Sequence, residues 1–370
     1  MNSAKSLEPA IDPNNRITFL LDWELTMKCN LDCSYCDSEH LGGHNNSLPH
    51  PPVDECLKTI DFMFEYANRQ MALRPTGLKH VILNIYGGEA LHHPNIIEIL
   101  NEVKNRYQQY QSRWHLVVTT TTNAIITPRR LEKIIPLIDE FTVSYHTENT
   151  PKQKQQFCDN LLRIQQANRR LKCIVLVHPE PENFQDVNQM IDWLKENNIR
   201  HLPRQLDHGT RDIQFNYRSQ QVKWFKKLYQ EKSHNVEVKF KEVIDNDGRA
   251  DLAETGRACC GGRQLCSDQN YKQRNFFVNN TFTDWYCSVD KFFLYIKQVD
   301  NEVYVNKDCG INYQNQNGPI GSLKNTQLLL EQIGKTPIIK CINKRCFCGL
   351  CAPKAVDLDT YNSIMKKYQL

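Results

Sequence analysis

Between residues 17 and 231 the chain alternates short apolar runs with amphipathic stretches, and few folds accept that rhythm. Strand-like runs fall at 17–25, 81–86, 116–121, 141–145, 173–177 and 199–206. Helix-like stretches lie between them. Residues 53–64 repeat Val53, Leu57, Ile60 and Phe64, and 95–107 repeat Ile96, Leu100, Val103 and Tyr107. The same spacing runs through 129–138, 153–169 and 186–197, and a last helix is expected at 220–231. Apolar residues three and four apart mark a helix buried along one face, and strands alternating with such helices build a parallel sheet. Six units fall short of the eight that close a full barrel. The expectation is an α/β chain with three parts: a tail over 1–16, an open partial (β/α)6 barrel over 17–235, and a smaller cysteine-rich α+β domain over 236–370.

The stretch after the first strand carries Cys29, Cys33 and Cys36, with three and then two residues between them. Thiolates so spaced can curl around one soft metal centre. A structural zinc site wants four protein ligands. Before Cys56 the only further candidates are His40 and His44 in the loop beyond. A four-iron cluster held by three thiolates instead leaves one iron open to a small molecule. A zinc knuckle completed by a distant residue is the competing reading.

The chain has 15 cysteines and no apolar targeting segment at its start. Many thiols without such a segment point to a reducing cytoplasm and metal ligation. No run approaches the ~18 apolar residues of a membrane span. The excess of 46 basic over 42 acidic residues gives only +4, too small to argue for a nucleic-acid partner and too small to exclude one. The basic segment 218–241, with Lys223, Trp224, Lys226, Lys227 and Tyr229, reads as a solvated helix face with an apolar stripe, contact with a polyanion being the alternative.

Ligands of parallel α/β barrels meet the C-terminal strand ends. Besides the cysteines, this chain places there Gly87-Gly88-Glu89, then Thr119 to Asn123, then Ser144 to Glu148, and Arg204 after the sixth run. Two glycines permit close backbone approach, and a carboxylate at a helix entrance can pair with an ammonium group. Arg204 is suited to clamping a carboxylate. Cys158 and Cys173 stand alone and read as core residues.

The three-cysteine spacing, with Tyr35 just before the last thiol, followed one βα unit later by Gly87-Gly88-Glu89, resembles the radical S-adenosylmethionine (SAM) superfamily. The resemblance implies a partial barrel in which Cys29, Cys33 and Cys36 hold a 4Fe-4S cluster whose open iron binds SAM. It implies that Tyr35, Gly87, Gly88, Glu89, Thr121, Asn123, Ser144 and Arg204 bind the cofactor, with His146 a catalytic or substrate contact. An electron donor such as flavodoxin or ferredoxin is the partner it implies.

Past residue 235 helical periodicity fades and cysteines accumulate. Residues 292–298 and 302–306 read as a hairpin. Cys260, Cys266, Cys287, Cys309, Cys341, Cys346, Cys348 and Cys351 are enough thiolates for two fully ligated four-iron clusters. Cys259, beside Cys260, competes with it as a ligand. The set resembles the auxiliary-cluster domains called SPASM, or the one-cluster twitch form, although Cys341-x₄-Cys346-x-Cys348-x₂-Cys351 departs from the family spacing. A zinc ribbon built from the last four is the rival. Auxiliary clusters suit net oxidation, so the expected activity is oxidative or cross-linking modification of a peptide or protein side chain. A small molecule, nucleoside or sugar is the alternative substrate, and a non-catalytic metal-binding module the alternative function.

Overall fold

The computed structural model describes residues 6–7, 16–36, 48–74, 78–177, 183–205, 223–224, 243–244, 250–251, 282–306, 311–342 and 352–368. The helix expected at 220–231, apart from 223–224, lies outside these residues. So do Cys259, Cys260, Cys266, Cys309, Cys346, Cys348 and Cys351, and both His40 and His44.

Six parallel strands follow one another in chain order: β1 (Arg16–Thr26), β2 (Leu78–Gly87), β3 (His115–Thr122), β4 (Glu140–Tyr145), β5 (Arg170–Val177) and β6 (His201–Gln205). Helices α1 (Val53–Ala72), α2 (Ile96–Tyr107), α3 (Pro128–Ile134), α4 (Pro151–Gln166) and α5 (Asn183–Glu196) connect them. This is the α/β, partial-barrel layout that the alternation predicts.

The helix ends differ from the periodicity by a few residues, for local reasons. Helix α4 begins at Pro151 because Thr150 and Gln153 form a reciprocal capping box, with Gln153 N donating to Thr150 Oγ1 at 3.3 Å and Thr150 N donating to Gln153 Oε1 at 2.8 Å. It stops early because Asn168 adopts a left-handed φ of 54°. Helix α3 gives way to a 3₁₀ turn over Ile135–Leu137, which carries Pro136.

The two faces of the sheet differ in chemistry. Phe19, Leu21, Trp23 and Leu25 of β1, Val81, Leu83 and Ile85 of β2, and Val118 of β3 are buried in one core together with the helices. Cys173 is fully buried in that core and Cys158 packs against it, as expected of both. The alternate residues carry polar groups. Asn84 Nδ2 donates to Asp22 Oδ1 at 3.0 Å, and Thr119 Oγ1 donates to Asn84 Oδ1 at 3.1 Å. A hydrogen-bonded polar row therefore crosses three strands on the face turned away from the helices.

The hairpin is present as β7 (Phe293–Lys297) and β8 (Glu302–Tyr304), turning through Asn301 at φ 56°. Its placement is new information. Strand β7 pairs in parallel with β1, Phe293 opposite Leu20 and Lys297 opposite Glu24, and β8 and a short strand Gly321–Ser322 follow in antiparallel. Among the described residues the sheet therefore has nine strands. Tyr295 Oη donates to Glu24 Oε2 at 2.8 Å, and Trp23 Nε1 donates to Gln298 Oε1 at 3.0 Å, pinning the register. The nominal boundary at 235/236 lies outside the described residues, and the segment beyond it contributes directly to the barrel's sheet.

A second, antiparallel sheet joins Ser6–Leu7, Lys354–Ala355, Tyr286–Cys287 and Ile339–Lys340. Its core contains Phe282, Trp285, Val289 and Phe292, with Asp290 almost completely buried beside it. Thr336 Oγ1 donates to Asp290 Oδ2 at 3.0 Å, yet burial still raises the Asp290 carboxyl above its ordinary range. The folded chain thus holds this proton more tightly than the unfolded chain. Stability from this group is greatest below the unfolded carboxyl range and falls as pH rises from about 4 through the raised value. An Asp290→Asn chain is expected to show a flatter stability profile over that window by urea unfolding. Parallel profiles for the two chains would rule this out.

Candidate metal centre

The loop 27–36 leaves β1 at the C-terminal edge of the sheet and is gripped by the ends of the next three strands. The first grip begins with a bulge. Glu24 pairs with Tyr86 and Thr26 with Gly87, so β1 carries one extra residue there. Gly88 N then donates to Thr26 O at 2.7 Å and Glu89 N to Lys28 O at 2.9 Å. A Cβ on Gly87 would stand 1.9 Å from Thr26 O, and one on Gly88 would stand 2.4 Å from Met27 O and 2.6 Å from Lys28 O. Gly87 also has φ +146°. The two glycines are required because backbone touches backbone here. Thr26 Oγ1 accepts from Lys28 N at 3.2 Å and lies 3.1 Å from His50 Nδ1, whose pKa burial lowers to about 4.

The second grip comes from β3. Asn123 Nδ2 donates to Asn30 Oδ1 at 2.8 Å and approaches Cys29 Sγ at 3.9 Å. Asn30 Nδ2 donates to Ile125 O at 3.1 Å. Behind them Glu89 is buried at 1% exposure. Its Oε1 accepts from Leu91 N at 3.1 Å and Thr122 Oγ1 at 2.8 Å, and its Oε2 accepts from Asn123 N at 2.7 Å. Burial raises the Glu89 pKa and these three donors oppose the rise. Of the four lone-pair positions a carboxylate offers, one on Oε2 has no protein donor among the described residues. A Glu89→Gln chain would set an amide NH₂ against one of these donors. It is expected to lose about 1–3 kcal/mol of stability by chemical denaturation; an unchanged midpoint would show that this buried network carries no weight.

The third grip comes from the turn after β4. The Tyr35 hydroxyl lies 2.7 Å from His146 Nδ1, and the two rings stack with centroids 5.9 Å apart and planes 5° apart. His146 Nδ1 is also 3.4 Å from Cys33 Sγ. Ser34 N donates to Glu148 Oε2 at 2.8 Å, and the Ser34 hydroxyl donates to Glu148 Oε1. In the same turn Thr147 Oγ1 and Asn149 Nδ2 are buried with no hydrogen-bond partner among the described residues.

Cys29, Cys33 and Cys36 are half-buried thiols. Burial raises Cys29 to about 11, with repulsion from Glu89 and Cys36 adding to it. Burial raises Cys33 to about 12, with Cys29, Cys36 and Glu148 adding to it. Among the described residues no group of three or more His, Cys, Asp or Glu side chains is gathered as for one metal ion. The donor set is three soft sulfurs on one loop, close enough to feel one another's charge. Three soft sulfurs are the donor chemistry that a polynuclear iron–sulfur group takes, and such a group would replace the protons that burial retains.

Other sequence-predicted residues lie around this edge. Thr121 is exposed near the end of β3, on the polar face with Thr119; Ser144 is half-buried in β4. Arg204 lies in β6 opposite Leu176. Cys287 and Cys341 are buried in the second sheet. Cys287 pairs with Ile339 and Cys341 N donates to Trp285 O at 2.8 Å, so the two thiols are diagonal neighbours across adjacent strands. Thr26, Asn30 and His50 were not among the sequence candidates. The first two carried a signal: an Asn between two cysteines and a Thr at a strand end are positions where side chains bond local backbone.

No family model matches the chain, and no curated relative does. Among solved structures, native anSMEcpe with bound AdoMet is similar over 86% of this chain and 82% of its own, at 13% identity and TM-score 0.49. Native anSMEcpe with bound AdoMet and Cp18Cys peptide gives 86% and 81%, 12% identity and TM-score 0.48. The 5-methylcytosine deaminase from Klebsiella pneumoniae liganded with 5-fluorocytosine gives 54% and 46%, 13% identity and TM-score 0.31. At such identities and TM-scores the likeness bears on neither ligand nor reaction.

Proposed function

We propose that this chain is a radical SAM enzyme that oxidatively modifies a peptide or protein side chain. The observation that carries the reading is the three-thiol loop held at the C-terminal edge of six parallel strands by the ends of β2, β3 and β4. Cys29, Cys33 and Cys36 would hold a 4Fe-4S cluster, and Cys287 and Cys341 would contribute to an auxiliary one. A cluster held there would supply, when bound, one-electron reductive cleavage of SAM for hydrogen-atom abstraction from the substrate. The protein's part is position and exclusion of water. The free lone pair of Glu89 is the acceptor for the SAM ammonium group, and Thr121 and Ser144 are its polar neighbours on the strand ends. Thr147 Oγ1 and Asn149 Nδ2 are buried polar atoms that a bound group would satisfy. Flavodoxin or ferredoxin is the class of electron donor this chemistry needs, in a reducing compartment such as the cytoplasm. No helix among the described residues is long and apolar enough to cross a membrane.

The test is metal and sulfide analysis of anaerobically purified protein, with its visible spectrum, followed by assay of reductant-dependent 5′-deoxyadenosine release. Brown protein with iron, labile sulfide and turnover is the expected result. Colourless protein with stoichiometric zinc ends the reading.

A further inference from the structure

We propose that Glu148 is a positioning residue for the cysteine loop, holding Ser34 between two ligand thiols and setting a negative charge beside Cys33; this rests on the cluster reading given under Proposed function. Ser34 stands directly after Cys33 and one residue before Tyr35. Both of its donors, the backbone N–H and the hydroxyl, go to the two oxygens of one carboxylate. Such two-point bonds to a charged acceptor fix orientation as well as distance. The neighbouring contact of His146 with the Tyr35 hydroxyl at 2.7 Å holds the next residue of the loop. The turn 146–148 therefore restrains the half of the loop that carries Cys33 and Cys36, as Asn123 restrains the half that carries Cys29. Glu148 and Ser34 are themselves exposed, so the pair adds nothing to the core and substitution there leaves the fold intact. The carboxylate bonds the residue directly after Cys33, so its charge lies beside that part of the loop. A negative charge at that place opposes adding an electron to a cluster bound there.

Two variants separate geometry from charge. Glu148→Gln retains both contacts, with its amide oxygen accepting from Ser34 N and its amide nitrogen donating to Ser34 Oγ. Glu148→Ala removes both. Three quantities are read on the full chain: hydrogen exchange at the amides of residues 33–36 in iron-free protein, iron content after anaerobic reconstitution, and the midpoint potential of the bound iron by electron paramagnetic resonance. Glu148→Ala is expected to speed Ser34 exchange by about tenfold and to lower iron content. Glu148→Gln is expected to keep slow exchange and full iron, with a midpoint potential more positive than the parent's. Unchanged exchange in Glu148→Ala overturns the proposal, as does faster exchange with iron content and potential both unaltered. A parent chain that takes up no iron overturns the cluster reading and this role with it. The exchange result, which needs no metal, then tells that failure apart from a loop that Glu148 does not hold.

Discussion

Alanine at Cys29, Cys33 and Cys36 together is expected to bring reductant-dependent 5′-deoxyadenosine release to background and to remove the iron of the first site. The fold should scarcely notice. None of the three residues lies in a strand or helix, and all are half-buried. The contacts of their sulfurs include 3.4 Å from Leu31 N to Cys29, 3.9 Å from Asn123 Nδ2 to Cys29 and 3.4 Å between Cys33 and His146 Nδ1. Removing them should change unfolding stability by about 1 kcal/mol or less. That contrast makes the result informative: lost iron and lost turnover in a chain that unfolds at the parent's midpoint assigns the thiols to chemistry rather than packing. Release above background would place the reacting centre elsewhere in the molecule.

The second large effect belongs to Gly87. An alanine there brings a methyl to 1.9 Å from Thr26 O and forces a side chain onto a backbone with φ +146°. The obstructing atom is a carbonyl in the ladder between β1 and β2, and it cannot swing aside as the tip of a side chain would. Either β2 withdraws or the bulge at Thr26 is lost. Both break the bond from Gly88 N to Thr26 O and shift the start of the cysteine loop. A loss of about 3–5 kcal/mol is expected in urea unfolding, together with poor iron uptake. Ala at Gly318, also at positive φ but with only a flexible Asn312 amide 3.4 Å away, should cost much less. Equal costs at the two glycines would mean that backbone conformation, and not contact with the loop, decides the effect.

The strands were legible because each alternates or concentrates apolar residues over five to eleven positions, and the helices because their apolar residues return every third or fourth place. Helix ends were less so. The start of α4 depends on one threonine, and its end on one asparagine adopting a conformation that most residues avoid. The partner of β1's free edge had no local signature. Val303 and Ile296 announce a hairpin, but nothing in 292–306 names Leu20 as the residue to lie beside Phe293. At the site, the residue types were readable and their connections were not. Glu89 reads as an acid that can pair with an ammonium group; what the sequence did not announce is that two of its acceptor positions tie the end of β2 to the end of β3 and a third takes Leu91 N. His146 reads as a catalytic or substrate contact, and the structure adds that His146 and Glu148 both touch the loop that carries the thiols. Side chains that hold a loop and side chains that meet a ligand are drawn from the same polar set, so composition alone does not separate them.

The parallel seating of β7 against β1 has a consequence for how the polypeptide is made. Trp23 and Gln298 bond across 275 residues, so at about 5–20 residues per second the first strand leaves the ribosome roughly 15–55 s before its neighbour is synthesised. Throughout that interval a long apolar strand has an unpaired edge, the situation in which nascent chains pair with one another. Truncations that stop short of residue 293 preserve that hazard permanently, whereas chains released with β7 in place have closed it themselves.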